Sequence, residues 1–564
     1  MTRLLTISRL GAGCLVAVAT LTGCAGTTTA QSVAVNPLSC ADLAGKTIAP
    51  SSIGLPTGGA TVTGATAVGA SGSGADAVGA FCRVTASIAP VDPAAPPVRM
   101  EVNLPEAWNG KALMYGGGGL NGSILSTAGK IRLQPPDMPI PLARGYATFG
   151  SDSGHSSNSA DGSFAANDEA LRNYAWEALK KTRDVAGVLI HLRYGRAPDK
   201  VYFHGSSNGG KEALAMVQKY PADLDGAMIF WPAINLGTLQ LQFARIARAL
   251  EAPGGDIDMA KRRLVLAAAV QACDRLDGVA DGLISNSRRC QEVFDPATAR
   301  YRDRPLRCAS GGDEGEACLS DAQIHTLKTM ATPFVSPRPL ASGETQFPGF
   351  NVWGSDLGIG IGDSVSRTAT QNGFGTLPAA LPTKPGMPFI HVIADQYLKY
   401  FVTRDADATW VHVDPASPGA WGDRLSRLTA MLDMNQADLS AFYRHGGKIL
   451  LIHGLSDQAV PPQSSEQYYD RVVGVMGEET VRRFLRFYEI AGVSHSGIGT
   501  AFTPAWDALG ALDDWATKGQ PPHSPVVADT YARPGRTRPL CEYPSYVRYA
   551  GGDADQASSF TCSR

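Results

Sequence analysis

Strand-like and helix-like hydrophobic patterns alternate along the chain from about residue 98 onward. Short apolar runs that are typical of buried strands lie at 111–115, 146–150, 201–203 and 227–230. Between the second and third of these runs, apolar side chains recur at helical spacing over residues 168–194. Because strands that alternate with helices favour parallel pairing, this pattern predicts an α/β fold with a parallel sheet.

The alternation stops after Pro232. The region that follows is mixed, with acidic turns, four cysteines and scattered aromatic residues, and the strand pattern returns at 448–452 and 484–488. A second independent domain would explain the change, but the return of the strand pattern favours one sheet that is interrupted by an insertion. We therefore predict a core in two parts, 40–232 and 441–564, with an insertion at 233–440.

Composition and charge exclude some classes of protein. The 564 residues are 44% hydrophobic and 18% charged, which is typical of a globular protein. The formal net charge is −2. Since nucleic-acid binding requires a basic surface, we expect no nucleic-acid partner.

The N-terminus has the pattern of an export signal. Arg3 and Arg9 precede an apolar run at 10–21, which is too short for a stable membrane span. Leu21-Thr22-Gly23-Cys24 resembles the bacterial lipobox, which predicts a signal peptide at 1–23, a lipid anchor on Cys24 and a linker at 24–39. Ordinary cleavage near Ala30 is the alternative. Either way we expect an exported bacterial protein. Its expected location is the outer membrane as a lipoprotein, the periplasm or the outside of the cell.

Eight cysteines follow the signal. An even number of cysteines in an exported protein indicates disulfides. The sequence has no CxxC motif and no nearby histidine cluster, so a metal site formed by these cysteines is not favoured. Spacing leaves many pairings open. We favour sequential pairing, which closes four local loops: Cys40–Cys82, Cys273–Cys290, Cys308–Cys318 and Cys541–Cys562.

Gly205-Ser206-Ser207-Asn208-Gly209 matches the motif G-x-S-x-G with Ser207 at its centre. The match is weak alone in a glycine-rich chain, where a plain glycine turn is the alternative. Its context strengthens it, because a strand-like run precedes it and a helix-like run follows. This is the setting of a serine nucleophile on a strained turn.

A serine nucleophile needs a base, and the base needs an acid that orients it. In α/β-hydrolases the acid and then the histidine follow the serine, each after a late strand. Asp457 follows the run at 448–452, and His495 lies on a glycine-flanked loop after 484–488. Order and placement together predict a Ser207–His495–Asp457 triad, although a single Asp or His on a turn is usually a cap or a surface group.

An oxyanion hole needs two backbone N–H groups. One is expected from Asn208, which follows the nucleophile, and the other from the four glycines at 116–119 after an early strand. A flexible turn is the alternative for these glycines.

Three carboxylates lie at short intervals, broken by glycines, at Asp274, Asp277 and Asp281. Such a loop can surround a hard cation with oxygen ligands, so we expect a structural Ca²⁺. An acidic, solvated turn is the alternative. Cys273 and Cys290 would close the loop.

Together these residues resemble the tannase/feruloyl esterase family of α/β-hydrolases, which also contains mono(2-hydroxyethyl) terephthalate hydrolases. The resemblance extends from Cys40 to Cys562. It rests on residues 115–122, the Ser207 turn, 273–282, 453–457, His495 and 536–541.

The resemblance implies an α/β-hydrolase fold in which the insertion is a lid that shapes the substrate pocket. It implies the triad above, Gly119 as the oxyanion glycine beside Asn208, and the sequential disulfides. It also implies a calcium ligand set: Asp274, Asp277, Asp281 and the carbonyl groups of Val279 and Leu283.

This chain departs from the family in two respects. Relatives carry a cysteine before the nucleophile and another after the histidine, joined as a disulfide, where this chain has Ser206 and Ser496. The resemblance therefore implies a looser histidine loop here. Residues at about 340–420 do not match the family's substrate-binding residues.

The expected function is a serine carboxylesterase that acts on small esters of aromatic acids, of the feruloyl, galloyl or terephthalate monoester type. The alternative is a catalytically weak lipoprotein that binds ligands on a hydrolase scaffold. Five aromatic residues of the insertion are candidates to stack on a substrate ring, although each is more often a core residue: Trp353, Phe374, Phe389, Tyr397 and Phe401.

Overall fold

The computed structural model describes residues 36–355, 357–359, 374–409, 412–499 and 501–564. The predicted signal peptide at 1–23, Cys24 and linker residues up to 35 lie outside this part. Among the helices in the described ranges, none combines the length and the apolar character that a membrane crossing requires.

Ten strands form one mixed sheet. In chain order they are β1 (Thr47–Ile48), β2 (Ala60–Val68), β3 (Phe81–Ile88), β4 (Val98–Pro105), β5 (Lys111–Tyr115), β6 (Ala147–Ser151), β7 (Lys200–Ser206), β8 (Gly226–Phe230), β13 (Lys448–Gly454) and β14 (Leu485–Ile490). The order across the sheet is β1-β2-β3-β4-β6-β5-β7-β8-β13-β14. Neighbours are antiparallel from β1 to β6 and parallel from β6 to β14.

The parallel strands are apolar because both of their faces are covered. All five residues of β8 are buried. The helices of the core that cover the sheet are α1 (Asp168–Arg172), which continues through a π-helical turn (Asn173–Glu177) into α2 (Ala178–Tyr194), then α3 (Asn208–Lys219), α11 (Pro462–Met476), α12 (Glu478–Arg482) and α13 (Ala508–Lys518). Because these strands are parallel, their carboxyl ends all lie at the same edge of the sheet, where the loops that follow them can meet.

The chain leaves this sheet after β8 and returns to it as β13. The two strands are direct neighbours, with Lys448 opposite Gly226. The helices between them are α4 (Leu236–Glu251), α5 (Met259–Cys273), α6 (Ser287–Val293), α7 (Asp321–Ala331), α8 (Phe389–Gln396), which continues into a π-helical turn (Tyr397–Thr403), α9 (Gly422–Leu432) and α10 (Ser440–His445). Two small hairpins complete this region: β9 (Arg300–Tyr301) with β10 (Arg304–Pro305), and β11 (Phe334–Val335) with β12 (Gln346–Phe347).

The apolar side chains of this region form one cluster with Leu120, Phe164 and Ala233. These three residues lie in segments that follow the carboxyl ends of β5, β6 and β8. The region after β8 therefore packs over the edge of the sheet at which the parallel strands end.

The C-terminal part adds a three-stranded sheet of β15 (Pro504–Ala505), β16 (Val526–Asp529) and β17 (Thr537–Pro539), and a pair of β18 (Tyr546–Tyr549) with β19 (Phe560–Ser563). Short 3₁₀ helices lie at Ala41–Leu43, Pro50–Ser52, Gly74–Asp76, Ser163–Ala166, Asp274–Asp277, Val352–Gly354, Gly419–Trp421 and Ala557–Ser559.

The eight cysteines form four disulfides with the sequential pairing favoured above. Their Cα–Cα distances are 5.5, 5.3, 5.0 and 5.5 Å in chain order. Each bond closes a loop of 10 to 42 residues. Short loops of this kind stabilise a fold mainly by limiting the unfolded chain, and they are typical of exported proteins.

Candidate active site

Ser207 occupies the turn between the end of β7 and the first residue of α3. Its backbone has φ 60° and ψ −125°, a region that costs a residue with a side chain about 1–3 kcal/mol. A Cβ on Gly205 would lie 2.0 Å from the carbonyl oxygen of Gly209, and one on Gly209 would lie 2.6 Å from that of Gly117. Both flanking glycines are therefore required by close packing, as the motif predicts.

The structure brings Ser207, His495 and Asp457 together. Ser207 Oγ lies 2.9 Å from Nε2 of His495, although 288 positions separate the two residues. His495 Nδ1 lies 2.7 Å from Oδ2 of Asp457. The acid follows β13 and the histidine follows β14, and these strands are neighbours, so sheet pairing places both loops beside the serine.

The carboxylate of Asp457 is fully buried. Its Oδ1 accepts from the backbone N–H groups of Ala459 and Val460, each at 2.8 Å, and its Oδ2 also faces Nε2 of His453 at 3.5 Å. Burial acts to raise the pKa of Asp457, but His495 and His453 outweigh it and hold that pKa well below its ordinary value. The ionised carboxylate can only accept, so Nδ1 of His495 donates to it and Nε2 is free to accept from Ser207.

Gly119 and Asn208 border the space beside Ser207 and His495. Asn208 begins α3, where backbone N–H groups have no helical partner. The N–H of Gly119 makes no hydrogen bond within the described residues. Gly119 has φ 57°, and a Cβ there would lie 2.4 Å from the carbonyl oxygen of Ser159, so only glycine fits. Two unpaired donors thus lie next to the serine.

A buried glutamate, which the sequence analysis missed, joins these two donor segments. Glu212 is 1% exposed, and its Oε2 accepts from the N–H of Gly117 at 2.7 Å. Its Oε1 accepts from Nδ2 of Asn121 at 2.6 Å and from Nδ2 of Asn208 at 3.2 Å. Burial raises the pKa of Glu212, while the charge of Lys211 and the hydrogen bonds from Gly117 and Asn121 oppose that shift. The only signal in the sequence was a charged pair, Lys211 and Glu212, in an otherwise apolar helical run.

We expect Glu212→Gln to lower kcat about 10- to 100-fold. The substitution replaces one acceptor oxygen with an NH₂ group, which then faces a donor of the surrounding residues. The two donors repel each other, and the glycine loop is displaced. Steady-state kinetics with a thermal unfolding curve would measure it. The control is Glu292→Gln, whose side chain is 63% exposed on α6. A normal kcat for Glu212→Gln would contradict this role.

A small pocket, part of it open to solvent, lies next to Ser207 and His495. Five apolar side chains of α4 and α8 line it: Leu236, Leu239, Phe243, Phe389 and Ile393. The amide of Gln240 also borders it. Of the five aromatic candidates in the insertion, Phe389 borders this cavity, whereas the other four are buried in the core of that region.

The aspartate-rich loop follows α5 and is closed by the disulfide Cys273–Cys290. Asp277 is 2% exposed, and its Oδ2 has no hydrogen-bond partner among the described residues. Burial raises the pKa of Asp277 to about 6, and the charges of Asp281 and Asp274 act in the same direction.

The other acidic side chains of this loop have partners. Asp274 Oδ1 accepts from the N–H groups of Asp281 and Gly282, at 3.2 and 3.1 Å. Asp281 forms an ion pair with Arg538 and accepts from the N–H of Leu283. Val279 donates its N–H to Asp277 Oδ1 at 3.2 Å. In the part of the chain that the structure describes, the three carboxylates do not bring one oxygen each within 4.8 Å of one another.

The sheet order, the strained serine after β7, and the acid and histidine after β13 and β14 define an α/β-hydrolase. The chain belongs to the tannase and feruloyl esterase family, whose sequence model matches residues 82–563.

Individual relatives agree with this assignment. The chain is 39% identical over 532 residues to an uncharacterized esterase of Agrobacterium fabrum, covering 93% of this chain and 92% of that protein. It is 29% identical over 533 residues to a mono(2-hydroxyethyl) terephthalate hydrolase of Piscinibacter sakaiensis, covering 85% and 84%. The crystal structure of feruloyl esterase B from Aspergillus oryzae has the same fold, with TM-score 0.71, 22% identity and coverage of 89% and 97%. The protein is a carboxylic ester hydrolase.

Proposed function

We propose that this protein hydrolyses esters of aromatic acids through an acyl-enzyme on Ser207. The observation that carries this proposal is the continuous chain from Asp457 through His495 to Ser207, with contacts of 2.7 and 2.9 Å, beside an apolar cavity. A serine hydroxyl becomes a nucleophile when such a base is in hydrogen-bond reach.

In the first step, His495 Nε2 takes the proton of Ser207 as Oγ attacks the ester carbonyl carbon. The carbonyl oxygen becomes an anion, and the N–H groups of Gly119 and Asn208 are placed to donate to it. The ester bond then breaks as His495 returns the proton to the leaving alcohol. In the second step, water gives a proton to His495 and attacks the acyl carbon. The bond from the acyl carbon to Ser207 Oγ then breaks as His495 returns the proton to Oγ, which releases the acid and restores Ser207.

The aromatic acyl group is supported by the cavity and by the relatives. Leu236, Phe243 and Phe389 offer apolar surface of the kind that covers a ring. Relatives are named for feruloyl esters and for a terephthalate monoester, both of which have an aromatic acid. We therefore place the acyl ring, rather than the alcohol, against α4 and α8.

Gln240 selects among aromatic acids in this proposal. Its side chain is 4% exposed, and Oε1 has no partner in the described part of the chain. A buried unpaired oxygen costs about 1–3 kcal/mol, which a hydroxyl on the acyl ring would recover by donating to it. No lysine or arginine is among the described residues around the cavity, so a neutral ring substituent suits it better than a carboxylate.

We expect Gln240→Leu to lower kcat/KM for methyl gallate relative to methyl benzoate by about 10- to 100-fold, because the hydroxyl loses its acceptor. The ratio of the two rate constants is the measurement, since it cancels any general loss of activity. Gln271→Leu, on the exposed surface of α5, is the control. An unchanged ratio would show that Gln240 does not read the ring.

The direct test of the activity combines a fluorophosphonate label with substrates. We expect the label on Ser207 by mass spectrometry, and hydrolysis in a panel of methyl ferulate, methyl gallate and mono(2-hydroxyethyl) terephthalate. A weakly catalytic ligand-binding lipoprotein would instead bind such compounds without labelling or turnover. The relative kcat/KM values in the panel would rank the acyl groups.

We also propose that the aspartate loop binds a structural Ca²⁺. The chemistry of the donors supports it, because Asp277 is buried with an unpaired carboxylate oxygen and lies near Asp274 and Asp281. The ligand set would be completed by those two side chains and by the carbonyl groups of Val279 and Leu283. The side chain of Asp281 would have to move relative to Arg538, with which it forms an ion pair, to reach the ion. A bound Ca²⁺ would supply positive charge that offsets the repulsion among the three carboxylates.

Removal of the ion with EGTA should therefore lower the melting temperature by several degrees, and added Ca²⁺ but not Mg²⁺ should restore it. Asp277→Asn should abolish this calcium-dependent shift. Asp303→Asn, on a turn of the same region, is the control. The idea fails if the melting temperature of the wild-type protein does not respond to EGTA.

We further propose export, with a lipid anchor on Cys24. The four disulfides support an oxidising compartment. The anchor would be supported if the wild-type protein is found in the membrane fraction and the Cys24→Ser variant is not. Equal amounts of the two proteins in the soluble fraction would favour plain secretion.

A further inference from the structure

Arg132 lies between the residue before the nucleophile and the residue after the histidine. Its Nε donates to Ser206 Oγ at 3.2 Å, and its Nη1 donates to the carbonyl oxygen of Ser496 at 3.0 Å. A guanidinium group is planar and rigid, so its nitrogens are a fixed distance apart. One side chain thereby sets the spacing between the Ser207 turn and the His495 loop.

The backbone at Arg132 is itself attached to β7. Its N–H donates to Nε2 of His204 at 3.0 Å, and burial, with a smaller contribution from Arg132, lowers the pKa of His204 to about 3, which keeps that ring a neutral acceptor. Leu133 is buried with φ 61°, and its carbonyl oxygen accepts from the N–H of Trp506 at 2.7 Å. A strained residue held by such contacts is fixed in place. The guanidinium group therefore starts from a rigid base.

The histidine loop contacts the same structure. A Cβ on Gly497 would lie 3.0 Å from the ring of Trp231 and 3.8 Å from Leu133. The guanidinium carbon of Arg132 is 6.0 Å from the centre of the Trp231 ring. None of the four disulfides joins the Ser207 turn to this loop in the described structure. Arg132 is the side chain that hydrogen-bonds to both.

We infer that Arg132 is a positioning residue that holds His495 Nε2 in line with Ser207 Oγ. The inference rests on the proposed function of Ser207 and His495. Arg132 acts through Ser206 and Ser496 and takes no part in the proton transfers. Since a misplacement of about 1 Å in a reacting pair can reduce a rate about 100-fold, the two hydrogen bonds have a kinetic effect out of proportion to their strength.

The test is a set of variants of the full chain, assayed for kcat, KM, melting temperature and the rate of fluorophosphonate labelling. Arg132→Ala should lower kcat and the labelling rate about 10- to 100-fold, with KM within about twofold, because alignment and not binding is lost. Arg132→Lys should lie between Ala and wild type, since one ammonium cannot reproduce the fork. Arg144→Ala, which removes a half-buried ion pair with Asp507 but no hydrogen bond to the Ser207 turn or the His495 loop in the described structure, should leave kcat within about twofold.

A double-mutant cycle identifies the route. Ser206→Ala should lower kcat about 2- to 10-fold, and in the Arg132→Ala background it should add almost nothing, because its partner is already absent. Unchanged kcat in Arg132→Ala, or effects of the two substitutions that multiply independently, would overturn the inference. If Arg132→Ala does not fold, Arg132→Lys and Ser206→Ala decide the case. An inactive wild-type protein would instead reject the proposed function.

Discussion

Ser207→Ala should lower kcat/KM for an aromatic ester by at least about 10⁴-fold without a large change in melting temperature. The substitution removes the only atom that can form the acyl-enzyme in the proposed reaction, while the free N–H groups of Gly119 and Asn208 remain in place. A small residual rate is expected from these donors and from binding alone. Alanine also retains the Cβ, so the strained turn itself is preserved.

The adjacent serine is the matched comparison. Ser206 is the last residue of β7, and its hydroxyl faces Arg132 rather than His495. Ser206→Ala should therefore lose at most about tenfold in kcat and retain fluorophosphonate labelling at Ser207. Labelling that moves to Ser206, or a Ser207→Ala protein that keeps more than about 1% of the activity, would contradict the assignment of the nucleophile.

Asp457→Asn should lower kcat about 10⁴-fold with little change in KM. The hydrogen bonds around Asp457 explain why. Two N–H groups, from Ala459 and Val460, converge on Oδ1, so the oxygen of an asparagine would occupy that place. Its NH₂ group would then face Nδ1 of His495 and donate to it. Nε2 of His495 would carry the proton in that tautomer, and it could no longer accept from Ser207.

The control for burial is Asp152→Asn. Asp152 is equally buried, forms an ion pair with Arg99 and does not border the pocket beside Ser207. Its substitution should lower the melting temperature but leave kcat within a few-fold. If both variants lost activity to the same degree, unfolding rather than the tautomer of His495 would explain the loss, and the role of Asp457 as the orienting acid would be wrong.

Regular elements of the core were predictable, since they depend on local patterns. The run at 448–452 lies within β13, and that at 227–230 lies within β8. The helical pattern at 168–194 predicted one helix, whereas the structure has a π-helical turn at Asn173–Glu177. There the hydroxyl of Tyr174 donates to the carbonyl oxygen of Gly119 at 3.1 Å, and Lys211 Nζ donates to that of Ala175 at 2.7 Å. Because these contacts join residues that are far apart in the chain, the local sequence pattern does not predict the π-helical turn.

The order of the site residues and the glycines around Ser207 can be read directly from the chain. Each depends on a nearby requirement: a turn without Cβ atoms at Gly205 and Gly209, or a loop that directly follows a strand. The sequence favoured sequential pairing of the cysteines but left other pairings open, and the structure has the sequential pairs.

Other features exist only once the chain is folded. Arg132 meets Ser496 across 364 positions, Glu212 meets Asn121 across 91, and Asp281 meets Arg538 across 257. Arginine and glutamate are ordinary surface residues in any sequence, and they acquire these roles from what the packed sheet places beside them. The types and the order of the reacting residues are thus determined by the local sequence. The side chains that align and restrain those residues are determined by long-range packing.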